Sequence, residues 1–449
     1  MASAALDLLV VGGGPAGLAH ALWRQQAHPE LRFLVTEARP RVGGWLQTEV
    51  RDGYVCEHGP QGFRPNEASD DLLALIELSN LAVPSRQAAT RRWVLAGGSL
   101  RALPTSPGAL LRSPVLRLRD KLRLLWEPRV RSSGAADESV RDFFVRRFGP
   151  ATQPYAQALV HGVFGGDADR LEVRSAFPIA RQLEVEHGSV LRGLRARRRA
   201  ARARRPAARA PLYSFPGGMQ QVVDEMAVRL GDAVRTSCPV AGLRPRAEGG
   251  FEVVLEGAEP RTLTSRCVEL AVPASVAAQL VAPFDDELSR LLGGIRTASV
   301  ASTFIGASTK AVGGDVEGFG FLAARGTAGS VLGTIYCSST FGAHAPPDHV
   351  LFRVMSGGVG WPAEVDRDGS ELIDQAVKLL RQHVDLRGDP AFTHVLRARD
   401  AIPQYERGHQ ERLAAIAASL QRWPGLNLRG ASYRQVSVVG QWSAAGSTP

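Results

Sequence analysis

The residues best suited to chemistry lie at the beginning of the chain, where closely spaced glycines are followed by one acid. Residues 12–17 (Gly-Gly-Gly-Pro-Ala-Gly) follow an apolar run at 6–11 and precede a segment, 18–27, with helical character. A second apolar run at 31–35 ends just before Glu37, twenty residues after the last glycine. This order of strand, glycine turn, helix, strand and acid is typical of a dinucleotide-binding unit.

Each residue type in this unit has its own task. Gly12 permits the tight turn, Gly14 lets the backbone approach a pyrophosphate, and Gly17 lets helix and strand pack closely. The unpaired N–H groups at the start of the helix face the phosphates. Glu37 is placed to accept hydrogen bonds from a ribose, and its charge disfavours a 2′-phosphate, so NADP is not the expected ligand.

The composition describes a globular chain long enough for two or three domains, with 449 residues, 44% of them hydrophobic and 22% charged. The four cysteines are far apart, which argues against a disulfide framework, a zinc or other metal site and a redox dithiol. Neither a signal peptide nor a run of about 18 apolar residues is recognisable. We therefore predict a cytoplasmic protein, or one held peripherally on the cytoplasmic face of a membrane.

The net charge of +10 is a local feature. Nine of the 54 Lys and Arg lie between Arg192 and Arg209, and the rest nearly balance the 44 Asp and Glu. This segment could be a solvated, flexible loop, an anchor on anionic lipid or a nucleic-acid tail. Nucleic acid is disfavoured as a partner, because no aromatic residues are interleaved for stacking on bases.

The segments after Glu37 suit a flat, extended ligand. Glycines are dense at 43–44 and 53–62, and Arg41 could neutralise pyrophosphate charge. Residues 91–100 predict a hairpin with a Gly-Gly turn, and 107–194 have the texture of an inserted helical domain. The second half returns to α/β structure, with strands predicted at 300–305, 331–336 and 351–355.

Residues 12–17, Glu37, 41–45 (RVGGW) and 57–60 (EHGP) resemble the flavin-containing amine-oxidase superfamily. Further segments resemble, within it, the oxygen-dependent protoporphyrinogen oxidases of haem synthesis. They follow the family order: 146–149 (RRFG), 162–167 (GVFGGD), 174–178 (RSAFP), 187–190 (HGSV), 318–322 (GFGFL), 402–409 (IPQYERGH) and 430–433 (GASY).

The resemblance implies an α/β fold, in which a Rossmann-like FAD-binding domain carries a mixed-sheet substrate domain and an inserted α-helical membrane-associated domain. The FAD-binding domain would comprise residues 1–89, 207–294 and 396–449. The helical domain would comprise residues 90–206, and the substrate-binding domain residues 295–395.

The resemblance also implies a set of site residues. Non-covalent FAD would be held by Gly12, Gly13, Gly14, Gly17, Glu37, Arg41, Gly44, Trp45, Gly59, Pro60, Gln61, Gly62, Val240, Val436 and Val438. The substrate-anchoring arginine matches Arg92, and the pocket matches Gly162, Phe319, Leu322 and Met355. Without the resemblance, Arg92 would be read as an exposed hairpin residue and the apolar pocket residues as core.

The implied activity is oxidation of protoporphyrinogen IX with O2 as acceptor and H2O2 as by-product, the flavin carrying the chemistry without a catalytic side chain. Two departures stand out, since Gln61 replaces the arginine of animal relatives and the chain after Tyr433 leaves the family pattern. Coproporphyrinogen III oxidation, another amine-oxidase-like activity and a non-catalytic FAD-fold protein are alternatives. A homodimer is left open.

Overall fold

The computed structural model describes residues 5–104, 107–132, 137–204, 211–257, 260–324 and 326–443. Its strands build two large sheets and two small ribbons. The strands are β1 Leu6–Val11, β2 Phe33–Thr36, β3 Thr48–Arg51, β4 Tyr54–Glu57, β5 Val83–Pro84, β6 Trp93–Ala96, β7 Ser99–Ala102, β8 Tyr213–Ser214, β9 Val234–Arg235, β10 Val240–Pro245, β11 Phe251–Leu255, β12 Arg261–Leu270, β13 Thr297–Ser308, β14 Gly320–Ala323, β15 Val331–Tyr336, β16 His349–Gly357, β17 Phe392–Pro403 and β18 Leu426–Leu428.

Helices cover both large sheets and form a cluster of their own between residues 107 and 204. They are α1 Pro15–Ala27, α2 Glu67–Leu75, α3 Pro107–Arg112, α4 Leu118–Leu125, α5 Val140–Phe148, α6 Gln153–Phe164, α7 Val173–Ala176, α8 Pro178–His187, α9 Val190–Arg204, α10 Gln220–Leu230, α11 Ala274–Val281, α12 Asp286–Gly293, α13 Cys337–Thr340, α14 Gly369–Val384, α15 His409–Leu420 and α16 Val438–Gln441.

The first sheet has β1 at its centre, parallel to β2 on one side and β12 on the other. Leu9 and Val11 pack against α11, α12 and α15, whereas Leu8 and Val10 pack against α1 and α10. Because both faces are covered, the strand needs a continuous apolar run rather than an alternating one. The carboxyl ends of β1, β2, β12 and β18 meet at one edge, where the glycine turn begins.

The second sheet runs in the order β17-β13-β16-β15-β14-β6-β7. One face packs on α14, with Phe321, Tyr336 and Phe352 in the interface. The opposite face carries Leu322 and Met355 and lies toward α6 and β4. The β6–β7 hairpin belongs to segment 90–206 but pairs with β14, so it joins strands of segment 295–395.

The arginine-rich segment is helical where the structure describes it. The interpretation of residues 192–204 as a flexible loop is therefore wrong, since they form most of α9. Ala, Arg and Leu are good helix formers, and the start of the helix is capped by a distant carboxylate, Glu127. Residues 205–209 lie outside the described part of the chain.

Within the described ranges, no helix combines the length and the apolar character that crossing a membrane requires.

Candidate active site

The turn between β1 and α1 has the geometry that its glycines predict. Gly12 has φ +109°, and a Cβ there would lie 2.5 Å from the carbonyl oxygen of Ala271. A Cβ on Gly17 would lie 2.1 Å from the carbonyl oxygen of Gly12. At Gly14, by contrast, a Cβ would meet nothing within 4 Å. Gly14 is the N-cap of α1 and supplies no side-chain cap, so the helix start opens onto space suited to an anion.

Glu37 lies just beyond the end of β2, beside this turn. Its Oε2 accepts the N–H of Gly13 at 2.9 Å, and its Oε1 accepts the N–H of Arg39 at 2.9 Å. The N–H of Cys238 donates to the carbonyl of Glu37 at 2.9 Å, which brings the segment leading into Val240 alongside. The carboxylate is thus fixed at the glycine turn, where a ribose would reach it.

A second glycine turn packs directly on the first. The N–H of Gly43 donates to the carbonyl of Gly13 at 2.7 Å, and a Cβ on Gly44 would lie 3.5 Å from Cα of Gly14. Arg41 donates to the carbonyls of Val42 and Gly44, each at 2.9 Å, so it braces this turn. The guanidinium of Arg39 lies 5.6 Å from the centre of the Trp45 ring.

The loop after β4 crowds onto these turns. A Cβ on Gly59 would lie 2.3 Å from the carbonyl oxygen of Trp45, and one on Gly62 would lie 2.5 Å from that of Tyr213. Pro60 is half-buried between them. Gln61 is buried, and its Nε2 lies 2.6 Å from Nδ1 of His344. The side chain that replaces the expected arginine is therefore part of the contact with the second half of the chain.

Glu57, at the end of β4, is fully buried and joins this loop to α10. Its carboxylate accepts the N–H of Met219 at 2.8 Å and the hydroxyl of Thr48 at 2.9 Å. Burial raises the pKa of Glu57 to about 7, against the lowering effect of those two hydrogen bonds. The ionised form is therefore less favourable in the folded than in the unfolded chain.

This raised pKa predicts a pH-dependent stability difference. The native state binds the Glu57 proton more tightly, so its contribution is present below the unfolded pKa of 4.5 and is lost as pH rises through about 7. Glu57→Gln should therefore gain roughly 3 kcal/mol of unfolding free energy relative to wild type between pH 4.5 and 8. Urea unfolding of both proteins at several pH values measures this, and a pH-independent difference would contradict it.

The five predicted substrate residues lie close together. The guanidinium of Arg92 is 4.9 Å from the centre of the Phe319 ring. On α6, a Cβ at Gly162 would lie 2.5 Å from a methyl carbon of Leu322, so the helix and β14 are in close contact. Phe319 and Met355 pack against the same buried cluster. Sequence-distant residues thus line one region of the second sheet.

The register of the second sheet places two of these residues in one row. Leu322 pairs with Gly333, and Gly333 pairs with Met355, so the three stand in one row across β14, β15 and β16. Residues directly opposite one another project to the same face of a sheet. A Cβ on Gly333 would lie 3.3 Å from a methyl carbon of Leu322, so the Leu322 side chain packs over this glycine.

Residues 438–442, beyond Tyr433, dock on the helices that cover the first sheet. Val438 and Trp442 are buried in the cluster that contains Leu18 and Phe63, and the Trp442 carbonyl accepts the indole N–H of Trp23 at 2.8 Å. Val436 instead packs among the helices around residues 140–190. Residues 436–442 of the divergent tail therefore pack into the fold, with Val438 and Trp442 against α1.

One functional candidate was missed by sequence reasoning. Arg353, on β16, is 5% exposed and donates to the carbonyls of Gly59 at 2.6 Å and His58 at 3.0 Å. The only available signal was an arginine in the otherwise apolar strand 351–355. Its target could not be read from the sequence, because the two carbonyls lie nearly three hundred residues earlier.

The chain belongs to the family of flavin-containing amine oxidoreductases, whose family model matches residues 15–444. Among its relatives are protoporphyrinogen oxidases from cattle and from spinach chloroplasts. The cattle enzyme is 33% identical over 96% of this chain and 95% of its own length. The spinach enzyme is 30% identical over 92% of this chain and 78% of its own length. The coproporphyrinogen III oxidase of Bacillus subtilis is 27% identical over 96% of this chain and 94% of its own.

Solved structures agree on the fold. A protein from Exiguobacterium sp. 255-15, provisionally assigned as a protoporphyrinogen oxidase, superposes with a TM-score of 0.81 over 99% of this chain and 97% of its own, at 22% identity. The structure of putrescine oxidase with bound putrescine superposes with a TM-score of 0.71 over 97% of this chain and 96% of its own, at 16% identity. The protein is thus a mixed α/β flavoprotein oxidoreductase whose cofactor is FAD.

The residues present fit that cofactor. The open space beside Gly14, the uncapped start of α1 and the fixed carboxylate of Glu37 suit a pyrophosphate and its adjoining ribose. These residues come from separate turns that contact one another through backbone hydrogen bonds.

Proposed function

We propose that this chain oxidises protoporphyrinogen IX to protoporphyrin IX, passing electrons to O2 and releasing H2O2. The observation that carries the proposal is the pocket wall formed by Leu322, Gly333 and Met355, with Phe319 and Arg92 at one edge. A porphyrinogen is a large apolar macrocycle with propionates on one side. An apolar wall with a cation at its edge is complementary to that apolar ring and its propionates.

In this proposal the protein binds and orients while the cofactor supplies the redox chemistry. Residues 12–17, Glu37 and the turns at 43–44 and 59–62 would hold FAD, which would supply the hydride acceptor and the route of electrons to O2. Removal of six hydrogens in three rounds consumes three O2 and gives three H2O2. Arg92 anchors a propionate, and Leu322 and Met355 exclude water from the ring that reacts.

The test is aerobic porphyrin fluorescence with protoporphyrinogen IX, corrected for spontaneous oxidation, together with stoichiometric peroxide. Coproporphyrinogen III is the second candidate substrate, favoured by the Bacillus subtilis relative. It carries four propionates, whereas Arg92 is the one charged residue among the five brought together here. A higher kcat/KM for coproporphyrinogen III would replace the first proposal with this one.

Arg92 provides a sharper prediction. Arg92→Ala should weaken substrate binding about ten- to a hundredfold, because a charge-assisted contact contributes on the order of 1.5–3 kcal/mol. FAD affinity should change little, and Arg92→Lys should recover only part, since a point charge cannot reproduce a bidentate fork. Arg91→Ala is the matched control, because Arg91 pairs with Asp315 on the outside of the same hairpin. A wild-type KM in Arg92→Ala would show that Arg92 is a surface residue that does not bind the substrate.

We further infer that residues 107–204 contact an anionic membrane surface. On α4 an apolar stripe is left exposed, formed by Leu118, Leu122, Leu125 and Trp126, whose exposed fractions run from 55% to 70%. Next along the chain, Glu127 accepts the N–H of Val190 at 3.0 Å and so fixes the start of α9 beside this stripe. Apolar residues with an interfacial tryptophan, next to a row of arginines, suit a monotopic contact.

Vesicle co-sedimentation tests the arginines of α9 and the apolar stripe of α4 separately. Changing Arg195, Arg197, Arg198 and Arg199 to serine should abolish the extra binding to anionic over neutral vesicles at low salt. Changing Leu122 and Trp126 to glutamine should weaken binding to both lipids at either salt concentration. Neither change should reduce turnover in solution. Binding equal to wild type in both variants would rule out this surface.

A further inference from the structure

The loop at residues 58–62, called here the flavin loop, is held mainly by the second half of the chain. Its backbone carbonyls at His58 and Gly59 accept from Arg353, and its Gln61 side chain contacts His344. The His58 ring bonds the carboxylate of Glu49 at 2.6 Å, and that carboxylate also bonds His394 on β17 at 3.1 Å. Two segments of the second half, around His344 and Arg353, therefore hold this loop directly, and His394 holds it through Glu49.

Arg353 is the central member of this clamp. Its Nε donates to Ser302 at 3.0 Å, and its two other nitrogens donate to the loop carbonyls, so all three nitrogens are engaged. The guanidinium also lies 5.7 Å from the centre of the Phe304 ring. Within the described residues it forms no ion pair with a carboxylate. Burial lowers the pKa of Arg353, which reflects how costly this cation is to bury.

The position of Arg353 links the loop to the substrate wall. Arg353 and Met355 are two residues apart on β16 and so project from the same face of the sheet. One strand therefore carries both a pocket residue and the cation that holds the loop.

We propose that Arg353 is a positioning residue that fixes the flavin loop against the second sheet and thereby sets the affinity for FAD. The proposal rests on the placement of FAD against residues 59–62 given above. Gly59 gives the loop little intrinsic stiffness at the point where Arg353 binds, so the arginine limits rotation of the His58 and Gly59 carbonyls. An arginine serves here because its planar fork can hold two carbonyls at once.

The test is titration of flavin-free protein with FAD, followed by quenching of flavin fluorescence. Arg353→Met keeps the volume of the side chain but removes the donors, and it should raise the Kd for FAD by roughly 30-fold or more. Arg353→Lys should give an intermediate Kd. The matched control is Arg397→Met, because Arg397 on β17 also donates to two backbone carbonyls, of Val365 and Arg367, away from the loop. Its Kd should stay within about threefold of wild type.

Amide hydrogen exchange of the flavin-free proteins separates positioning from general damage. Arg353→Met should speed exchange at residues 58–62 while leaving β13 and β16 protected. If Arg353→Met does not fold, Arg353→Lys carries the test, with Ser302→Ala expected to retain wild-type affinity because the loop bonds survive. A wild-type Kd in Arg353→Met, or an equal loss in Arg397→Met, would overturn the proposal. If Glu37→Lys loses FAD and Arg353→Met retains it, the FAD site is supported but the role proposed for Arg353 is wrong.

Discussion

Replacing Glu37 by lysine should give a folded protein that no longer retains FAD. The carboxylate accepts the N–H groups of Gly13 and Arg39 and fixes the glycine turn beside the open helix start. Lysine has donors only, so it cannot accept from these amides or from a ribose hydroxyl. Each lost charge-assisted hydrogen bond costs about 1.5–3 kcal/mol, so FAD affinity should fall at least about a hundredfold.

The fold should survive this change. Glu37 is half-buried in a connection beyond β2 and belongs to none of the apolar clusters that hold the sheet. The measurement is the ratio of flavin to protein absorbance after gel filtration, followed by titration with FAD. Glu30→Lys is the matched control, since Glu30 lies in the same β-α-β unit with its side chain 78% exposed. Stoichiometric flavin in Glu37→Lys would show that this carboxylate does not hold the cofactor.

The FAD turn was predictable from sequence because its determinants are local. Gly12, Gly17 and Glu37 lie within 26 residues, and each has a steric or hydrogen-bonding reason to be where it is. The β1 strand was predicted with its observed bounds and β2 to within two residues.

The pocket wall could not be derived in the same way. It depends on the pairing of β14, β15 and β16, and Gly333 becomes significant only when Leu322 and Met355 are placed on either side of it. Nothing in one strand's sequence specifies its partner or register at that distance. The resemblance to a family supplied all five predicted substrate residues, and the geometry added the row in which two of them, Leu322 and Met355, stand with Gly333.

The arginine-rich segment shows the same limit for a helix. Its start depends on Glu127, 63 residues before Val190, and a cap supplied from that distance leaves no local signature. Composition alone therefore left the loop interpretation open. In the structure, Glu127 joins the start of α9 to a buried network of charges.

Replacing Glu127 by alanine should lower the unfolding free energy by about 3–5 kcal/mol, because it removes one of the two carboxylates that pair with the buried Arg147. Arg147 and Glu127 are both completely buried and form an ion pair. Around them the charges balance, three acids against three arginines, in a cluster that comprises Glu127, Glu138, Glu184, Arg146, Arg147 and Arg181. Removing one acid leaves one net positive charge beside the completely buried Arg147.

The same substitution should loosen the start of α9. The Glu127 carboxylate accepts the N–H groups of Val190 at 3.0 Å and Leu191 at 3.2 Å, and the Ser189 hydroxyl. Those amides lose their acceptors in Glu127→Ala, so their hydrogen exchange should quicken more than that of α5. Glu127→Gln, which keeps an acceptor but not the charge, should lose less stability and preserve more of the cap.

Urea unfolding measures the first effect and hydrogen exchange the second. Glu186→Ala serves as control, because Glu186 lies on α8 near this network with its side chain 51% exposed. Surface substitutions of this kind change stability by about 0.5 kcal/mol or less. If Glu127→Ala unfolds at the same urea concentration as Glu186→Ala, the buried charges are solvated in solution and α9 is not held by them. Should Glu127→Ala be too unstable to purify, Glu127→Gln against Glu186→Gln gives the same comparison.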